Sequence, residues 1–497
     1  MKPDETRVSA VRLDATRLRI DTPSGLDIAL FANADVPIDR PSLDEIGTLS
    51  AIAETLDALN QQRFFGDLAA EIRRCVLTPD FGKGAGIPVG TVIDARGFVL
   101  PRCTGTDIGC GMRLVTTDLT RDDFERLGSR LNSILRHAFF KGGRGIAMDP
   151  AGRAAILRDG AAGLRRPAEP EGLWRQLDRA ELDHDLARTH LGGSWPTRDL
   201  WEFGDFVQGS GGVSHDSAIA SIGGGNHFVE IQTVEACLDR QACWRWGLKP
   251  GMVTIMVHTG SVGLGSAVGK HFMDLARRLH PTALKLPGHG FHPLPTSGKQ
   301  GGHGAAYLSA MGLAANFAVV NRLMLAALTL RCLSDAAGRR VAGALVYDAP
   351  HNLVWTGGDG HDHLHRKGAC PSECDPGDPL FPDGHPVIVP GSMGDASYVL
   401  RGRGSVASLC SAPHGAGRLA ARGIGRKADA DELLPLRIVT KIDPKTVRRD
   451  IAAELAKQLM EEAPSQYKAV GPVVETVQAA GIAEPVARLR PLLTIKG

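Results

Sequence analysis

The sequence has almost no net charge. Lys and Arg number 57, Asp and Glu 55, and the formal balance is +2. A uniformly basic nucleic-acid binder is thereby excluded, and any basic surface has to be local. It also lacks a long polar low-complexity tail. With 43% hydrophobic and 23% charged residues it has the balance of a globular chain, not a disordered one. There is no P-loop. The segment Pro390-Gly-Ser-Met-Gly-Asp-Ala-Ser-Tyr398 offers backbone amides and the hydroxyls of Ser392 and Ser397 to a nucleotide, but it lacks the Gly-Lys-Ser/Thr ending. An ordinary P-loop enzyme is therefore not supported. The cysteines do not make an even framework: nine are scattered from Cys75 to Cys410. That pattern points to a reducing compartment, the cytoplasm, with any special cysteine serving chemistry. Residues 1–15 are charged and have no apolar core, so no secretory signal is expected. The most apolar helical run, 311–332, is interrupted by Asn316, Asn321 and Arg322. A buried helix is expected there, not a membrane span.

What the chain has in excess is glycine, 60 residues in clusters, which points to tight loops around a site. Its length allows one large domain or two to three ordinary ones. With no repeat and no clear linker, a single interwoven domain over 1–497 is expected. Residues 42–75 read as an amphipathic helical region. Ile46, Leu49, Ile52, Leu56 and Leu59 stand at helical spacing, and Ser42 with Glu45 suggests a capping box. A Gly/Pro loop is expected over 79–90, and short strands with glycine turns over 91–115. The stretch 149–196, rich in Arg, Ala and acidic residues, reads as a helical surface insertion without assigned chemistry. Short strands are expected at 252–257, 344–347 and 387–389, each followed by a loop with a polar residue beside glycine or proline. Enzymes put reactive groups on such loops. Residues 357–384 read as a long functional or mobile loop, and 447–463 as a charged amphipathic helix.

Four segments concentrate metal-ligand types: Gly105-Thr-Asp-Ile-Gly-Cys-Gly-Met112, Gly223-Gly-Gly-Asn-His-Phe-Val-Glu230, His258-Thr-Gly-Ser-Val-Gly-Leu-Gly265 and Ala349-Pro-His-Asn352. Asp107, Cys110, His227, His258 and His351 together make about the ligand set of two adjacent divalent metals with open positions. Taken alone, each histidine is more often a satisfied polar residue, and Cys110 a small buried one. The argument rests on the set. In Ser411-Ala-Pro-His-Gly-Ala-Gly-Arg418, small neighbours leave space around the His414 ring. A ring nitrogen there can attack phosphorus, and Arg418 offers a fork suited to phosphate. A structural histidine in a glycine loop explains that segment equally well. Gln466-Tyr467-Lys468 adds an aromatic ring and a hydroxyl. Lys496, close to the last residue, would ordinarily be a frayed charge. Cys370 and Cys374 have zinc-like spacing but no second pair, so they read as a loop feature.

These segments resemble the RtcB family of RNA-splicing ligases. Asp-Ile-Gly-Cys-Gly-Met, Gly-Gly-Gly-Asn-His-Phe-Val-Glu, His-Thr-Gly-Ser, Ala-Pro-His-Asn, Pro-Gly-Ser-Met-Gly, His-Gly-Ala-Gly-Arg and the late Lys-Gly occur in the family's order between residues 107 and 497. The resemblance implies an α+β fold, a single large domain with mixed β-sheets around a central metal-containing cleft. It implies two manganese ions bridged by Cys110, with Asp107 and His227 completing one site and His258 and His351 the other. His414 would take GMP from GTP. Asn226, Glu230, Ser392, Ser397, Tyr467 and Lys496 would hold the guanylate, which would make Lys496 more than a frayed end. The implied reaction opens a 2′,3′-cyclic phosphate, caps the RNA 3′-phosphate with GMP and lets a 5′-hydroxyl displace it. The implied partners are such RNA ends and GTP, with room for an archease-like activator and no membrane. Two departures stand out. Val262 occupies a position where the family usually has Arg, and Pro79-Asp-Phe-Gly-Lys83 lacks the family's usual histidine. They suggest a branch with a narrower substrate, in which Val262→Arg raises sealing of generic broken RNA. Two rival readings remain: a manganese-dependent RNA-end phosphodiesterase or phosphatase that never ligates, and a catalytically weak RNA-binding scaffold.

Overall fold

Two large mixed sheets, seen in a computed structural model, form the frame of the molecule. The structure describes residues 8–165, 172–177, 179–211, 214–419, 430–444 and 446–497. The seven-stranded sheet has the order Ser9–Arg12, Arg17–Asp21, Ile28–Phe31, Glu71–Gly82, Val89–Arg96, Asp362–Lys367, Asn352–Thr356. The eight-stranded sheet runs Gly343–Pro350, Gly111–Thr120, Met252–Thr259, Phe228–Cys237, Ala483–Ile495, Ser397–Gly402, Pro386–Val389, and Ile438–Val439 joins it in parallel beside Ala483–Ile495. With helices packed on these sheets, the α+β expectation holds.

The central strands of both sheets are buried on two faces, and side-chain alternation divides the cores. In the seven-stranded sheet Ile28, Leu30, Cys75, Leu77 and Ile93 face the helix Arg40–Gln61. Their neighbours Ala29, Phe31, Val76 and Val92 point the other way, into a shared core with Val387, Val389 and Leu400 of the eight-stranded sheet. That shared core is the seam between the sheets. The far face of the eight-stranded sheet packs Val253, Ile255 and Val257 against the 37-residue helix Gly301–Ala337. This helix is apolar and long enough to cross a membrane, but 89% of its most apolar window lies inside the fold. The expectation of a buried helix is met.

Several boundaries differ from the sequence reading. The first helix carries the expected buried row, Ile46 to Leu59, but it ends at Gln61, and Cys75 lies in the strand Glu71–Gly82. Its N-cap is Asp39, whose carboxylate accepts from Ser42 N at 2.9 Å. Glu45 does not complete a capping box; it accepts from Gly84 N at 2.6 Å instead. Residues 79–82 are strand, not loop. The expected loop 357–384 contains the strands Asp362–Lys367 and Ala369–Pro371. Asp362–Lys367 pairs locally with Asn352–Thr356 and at long range with Val89–Arg96, and Ala369–Pro371 pairs with Ser411–Pro413. The stretch 149–196 contains the helices Pro150–Asp159 and Arg179–Ala187. Ile156, Leu157, Trp174, Leu182 and Trp195 on it are buried in the largest core, so it supplies interior as well as surface.

Candidate active site

Four neighbouring strands of the eight-stranded sheet deliver the candidate metal ligands to one end of it. Cys110 precedes Gly111–Thr120, His227 precedes Phe228–Cys237, His258 lies near the end of Met252–Thr259, and His351 follows Gly343–Pro350. The antiparallel register sets Phe228 and Met112 opposite His258, and Gly111 opposite Pro350. Antiparallel neighbours put a strand start beside a strand end, so ligands up to 241 apart in number meet. Cys110 Sγ lies 3.3 Å from both His227 Nε2 and His258 Nε2. His258 Nε2 is 3.3 Å from His351 Nε2, and His227 Nε2 is 3.1 Å from Asp107 Oδ2.

The long helix fixes these loops from behind. Arg322, fully buried, donates to Asp348 at 2.8 and 2.9 Å, to Gly109 O at 2.7 Å and to Thr259 O at 3.1 Å. One guanidinium thus ties the Cys110 loop, the His258 strand and the strand leading to His351. Asn321 beside it binds Ser221 O and Gly260 O at 2.9 and 3.0 Å, steadying the approach to His227. The polar residues that interrupt the apolar run are therefore the bolts of the site. Gly109 is required by its φ of +73° and because a Cβ there would sit 2.9 Å from Ala315 Cα of the same helix.

The donor set fits divalent metals. Cys110, His258 and His351 offer ligand atoms within 4.8 Å of one another, and so do Asp107, Cys110 and His227, with Cys110 common to both groups. His258 Nδ1 faces Asn226 O at 3.3 Å; donating there turns the Nε2 lone pair toward Cys110 and His351. Burial and neighbouring imidazoles keep His258 and His351 far below the usual histidine range, hence neutral and able to ligate. Burial would raise the Asp107 carboxyl, but His227 and the Cys110 thiol hold it below its usual range. Burial, then Asp107, pushes the Cys110 thiol up, so a cation is what would make it a thiolate ligand.

A pocket of about 890 Å³, counting space open to solvent, adjoins this centre. His258 forms one wall; Asn226, Glu230, Ser392, His414, Arg418, Tyr467 and Lys496 line the rest. The His414 ring lies 4.7 Å from the His351 ring, tilted by 57° to it. Its Nδ1 lies 2.6 Å from Asp80 Oδ2, and the same carboxylate accepts from His414 N at 3.1 Å. Asp80 is fully buried and its other oxygen accepts from Thr78 Oγ1 at 2.6 Å. With Nδ1–H committed to Asp80, Nε2 keeps a free lone pair. Gly368 gives the ring room: a Cβ there would lie 3.0 Å from His414 Cε1. Glu230, buried, accepts from Thr494 Oγ1 at 2.7 Å and Gln232 Nε2 at 2.6 Å. Lys496 is no frayed charge; its ammonium donates to Gly225 O at 2.7 Å and His227 O at 3.1 Å.

Twelve of the thirteen expected site residues lie in the two ligand groups or line the pocket; Ser397 does not, and Arg418 lines it with its guanidinium already engaged. Ser397 is behind the wall, where its hydroxyl holds Gly391 N at 3.2 Å and Gln232 Nε2 at 3.0 Å. Arg418 lines the pocket, but its guanidinium is engaged by Glu461 O at 2.9 Å and lies 5.1 Å over the Tyr467 ring, so it shapes that wall. Asp80 is the residue that sequence reasoning missed. The only signal was an acidic residue in the Pro79–Lys83 stretch, 334 positions from its partner. Lys468 pins that stretch by donating to Phe81 O at 2.6 Å; burial brings its ammonium down to about 8. Val262 begins the helix Val262–Leu279 with φ +44°, a costly angle for a β-branched residue. Cys370 is buried in a strand, not on a loop, and is a free thiol. A second histidine cluster, His190, Glu373 and His385, has ligand-like spacing. Trp355 Nε1 donates to His190 Nε2 at 3.0 Å, which leaves the proton on Nδ1, and Tyr347 bridges to His385 at 2.9 Å. That cluster is a satisfied hydrogen-bond chain.

A family model described as tRNA-splicing ligase RtcB matches residues 65–497. The RNA-splicing ligase RtcB of Mycobacterium tuberculosis is 33% identical over 454 residues, covering 86% of this chain and 97% of that protein. The tRNA-splicing ligase RtcB of Thermococcus kodakarensis is 31% identical over 459 residues, 85% of this chain and 87% of that protein. RNA-splicing ligase RtcB homolog 1 of Entamoeba dispar is 32% identical over 447 residues, 84% and 78% of the two chains.

Proposed function

The chain belongs to the RtcB family of RNA ligases, and we propose that it joins RNA 3′-phosphate or 2′,3′-cyclic phosphate ends to 5′-hydroxyl ends at the expense of GTP, through a GMP carried on His414. The observation that carries this reading is the His414–Asp80 pair in the wall of the pocket. Asp80 holds the Nδ1 proton, so Nε2 attacks the α-phosphorus of GTP. The P–N bond forms, the bond to the β-phosphate breaks and pyrophosphate leaves. Asp80 also stabilises the charge that develops on the ring. The RNA 3′-phosphate oxygen then attacks the same phosphorus, the P–N bond breaks and the ring returns to its starting state. The 5′-hydroxyl oxygen finally attacks the 3′-phosphorus and GMP departs. Capping by GMP is needed because an unmodified phosphate oxygen is a poor leaving group.

Asp107, Cys110, His227, His258 and His351 would hold two divalent ions; manganese suits their mixed N, O and S donors. When bound, such ions neutralise phosphate charge and make a hydroxyl or water a better nucleophile. Glu230 would accept from the guanine edge, with Asn226, Tyr467 and Lys496 completing the guanylate site and Ser392 contributing from its loop. Ser397 would support Glu230 through Gln232. The nine free cysteines support work in the cytoplasm.

The test is the intact mass of the protein after incubation with manganese and GTP. A GMP-sized increase is expected in the wild type and none in His414→Ala. No adduct in protein shown to hold manganese would move the reading to an RNA-end phosphodiesterase or phosphatase, which uses the same metals and needs no guanylate acceptor.

A further inference from the structure

Away from the active site, the helix Val262–Leu279 and the segment after it border a second, open hollow of about 900 Å³, counting space open to solvent. Arg102, Lys270, Arg277 and His292 line it, with the apolar stem of Leu286. Among the described residues, no carboxylate pairs with Arg102, Lys270 or Arg277. The single lining carboxylate, Asp274, is engaged by Arg278. Arg102 is held in place by its contact with Gly290 O at 3.1 Å and by lying 5.0 Å over the Phe291 ring. His292 is only 8% exposed and its Nδ1 has no hydrogen-bond partner. The neighbouring His280, also 8% exposed, leaves Nε2 unpartnered, and the two rings lie 5.6 Å apart. After burial, the main influences on His292 are His280, His289, Arg277 and Arg102, which bring it down to about 4. A chain with a net charge of +2 thus gathers uncompensated cations and idle donors in one concave place.

The hollow lies behind the metal loop. Arg102 is on the short helix Pro101–Thr104, directly before Gly105. Gly269, next to Lys270, is so close to that loop that a Cβ would lie 2.3 Å from Gly105 O. The helix begins at the metal centre, where Ser261 Oγ donates to Ile108 O at 2.5 Å. At 1.5 Å per residue, Lys270 is about 12 Å and Arg277 about 22 Å along it from Val262.

We propose that this hollow is a backbone-phosphate site for the RNA strand, engaged several nucleotides from the end being sealed. The proposal rests on the ligase reading for its polyanion. The fit is electrostatic and independent of sequence: exposed Lys270 and Arg277 and stacked Arg102 meet phosphate oxygens, while His292 lines the wall beside them. Its consequence is a length threshold. An RNA too short to reach the hollow is guanylylated and sealed but bound weakly, and a longer strand gains affinity that salt erodes.

The test is Lys270→Glu/Arg277→Glu, both exposed and outside the metal and nucleotide sites. Fluorescence anisotropy would follow a 20-nucleotide and a 3-nucleotide 3′-phosphate RNA over a salt series, beside the GMP-adduct mass. The expected result is roughly a tenfold loss of affinity for the long RNA, with a salt slope shallower by about one to two charges. The short RNA and the adduct should be unchanged. Equal long-RNA affinity and slope in both proteins would overturn the proposal. So would a variant whose only defect is binding of inorganic triphosphate, which would assign the hollow to a small anion. A missing adduct in both proteins would fail the ligase reading instead, and the anisotropy would still decide the hollow.

Discussion

The candidate metal centre and the pocket proposed to take the nucleotide share His258 as a wall, yet they are built in different ways. The metal centre belongs to one sheet: four adjacent strands aim their ends at one spot, and a single helix holds the loops through Arg322 and Asn321. The pocket straddles the seam. Asp80 comes from the seven-stranded sheet, Glu230 and Thr494 from the eight-stranded one, and His414 from the short pair Ala369–Pro371 with Ser411–Pro413. The first design gives a rigid, buried cluster. The second gives a cavity that a substrate can enter, with polar groups already committed to one another along its walls. Removing one part should therefore collapse the first site broadly and the second only at one step.

Cys110→Ala is expected to have the largest effect. Cys110 is common to both ligand groups, so metal analysis should show both ions lost. Ligation should fall by more than about 100-fold, since even residues one layer behind a ligand cost about 10–100-fold. His414→Ala should keep its metal and lose only the adduct. Retention of one tightly bound ion in Cys110→Ala would show that the two sites are independent, contrary to the geometry. Arg322→Met comes next. It leaves Asp348 buried without its main partner, which should cost about 3–5 kcal/mol in urea unfolding, and the loosened loops should bind metal more weakly. Unchanged metal affinity at reduced stability would mean that the ligand loops hold themselves. Asp80→Asn should be narrower still: adduct formation slower by about 10–100-fold, judged by analogy with other residues that orient a reacting imidazole, with metal content intact. A parallel loss of metal would merge the two regions into one unit.

The same contrast explains what could be read from the sequence. Four of the five candidate ligands sit in short glycine-marked segments and His351 follows a strand in Ala349-Pro-His-Asn352, so Asp107, Cys110, His227, His258 and His351 could be read as a set, and the fold brings their ligand atoms into two groups that share Cys110. The apolar run around Asn321 and Arg322 was legible as a buried helix, though the use of its polar residues was not. Those side chains bind backbone carbonyls such as Gly109 O and Thr259 O, and any residue type can supply a carbonyl. In the pocket, His414 was visible through its small neighbours. Asp80 was not, because packing of the Glu71–Gly82 strand against the His414 segment brings it there from 334 positions away. Ser397 was placed one layer too near the ligand, because its position in a glycine-rich segment does not reveal which face of the strand Ser397–Gly402 it occupies. Residues 79–82 and 362–371 looked like loops because proline, glycine and histidine crowd those stretches, although Gly82 pairs with the nearby Val89 and Asp362–Lys367 with the nearby Asn352–Thr356.

The finest test of the seam concerns the guanylate end of the pocket, where a pH series separates recognition from stability. Burial raises the Glu230 carboxyl to about 7, against the opposing hydrogen bonds of Thr494 and Gln232 and the charge of Lys496. The unfolded chain would titrate this group near 4.5. Its folded-state value is raised, so the folded protein holds the proton more firmly than the unfolded one. The stability this lends is full below pH 4.5 and is lost as pH rises through about 7. Guanine recognition runs the other way, because the ionised carboxylate accepts from the base where the protonated acid offers one donor instead. KM for GTP should fall by about tenfold from pH 6 to pH 8, the ratio a single ionisation near 7 dictates. Over the same interval the melting temperature of the unliganded protein should decline, and the shift produced by GTP should grow. Glu230→Gln should flatten the KM profile while leaving metal content unchanged. A wild-type KM profile that is already flat across this range would mean that Glu230 is a wall of the pocket and not its reader of guanine.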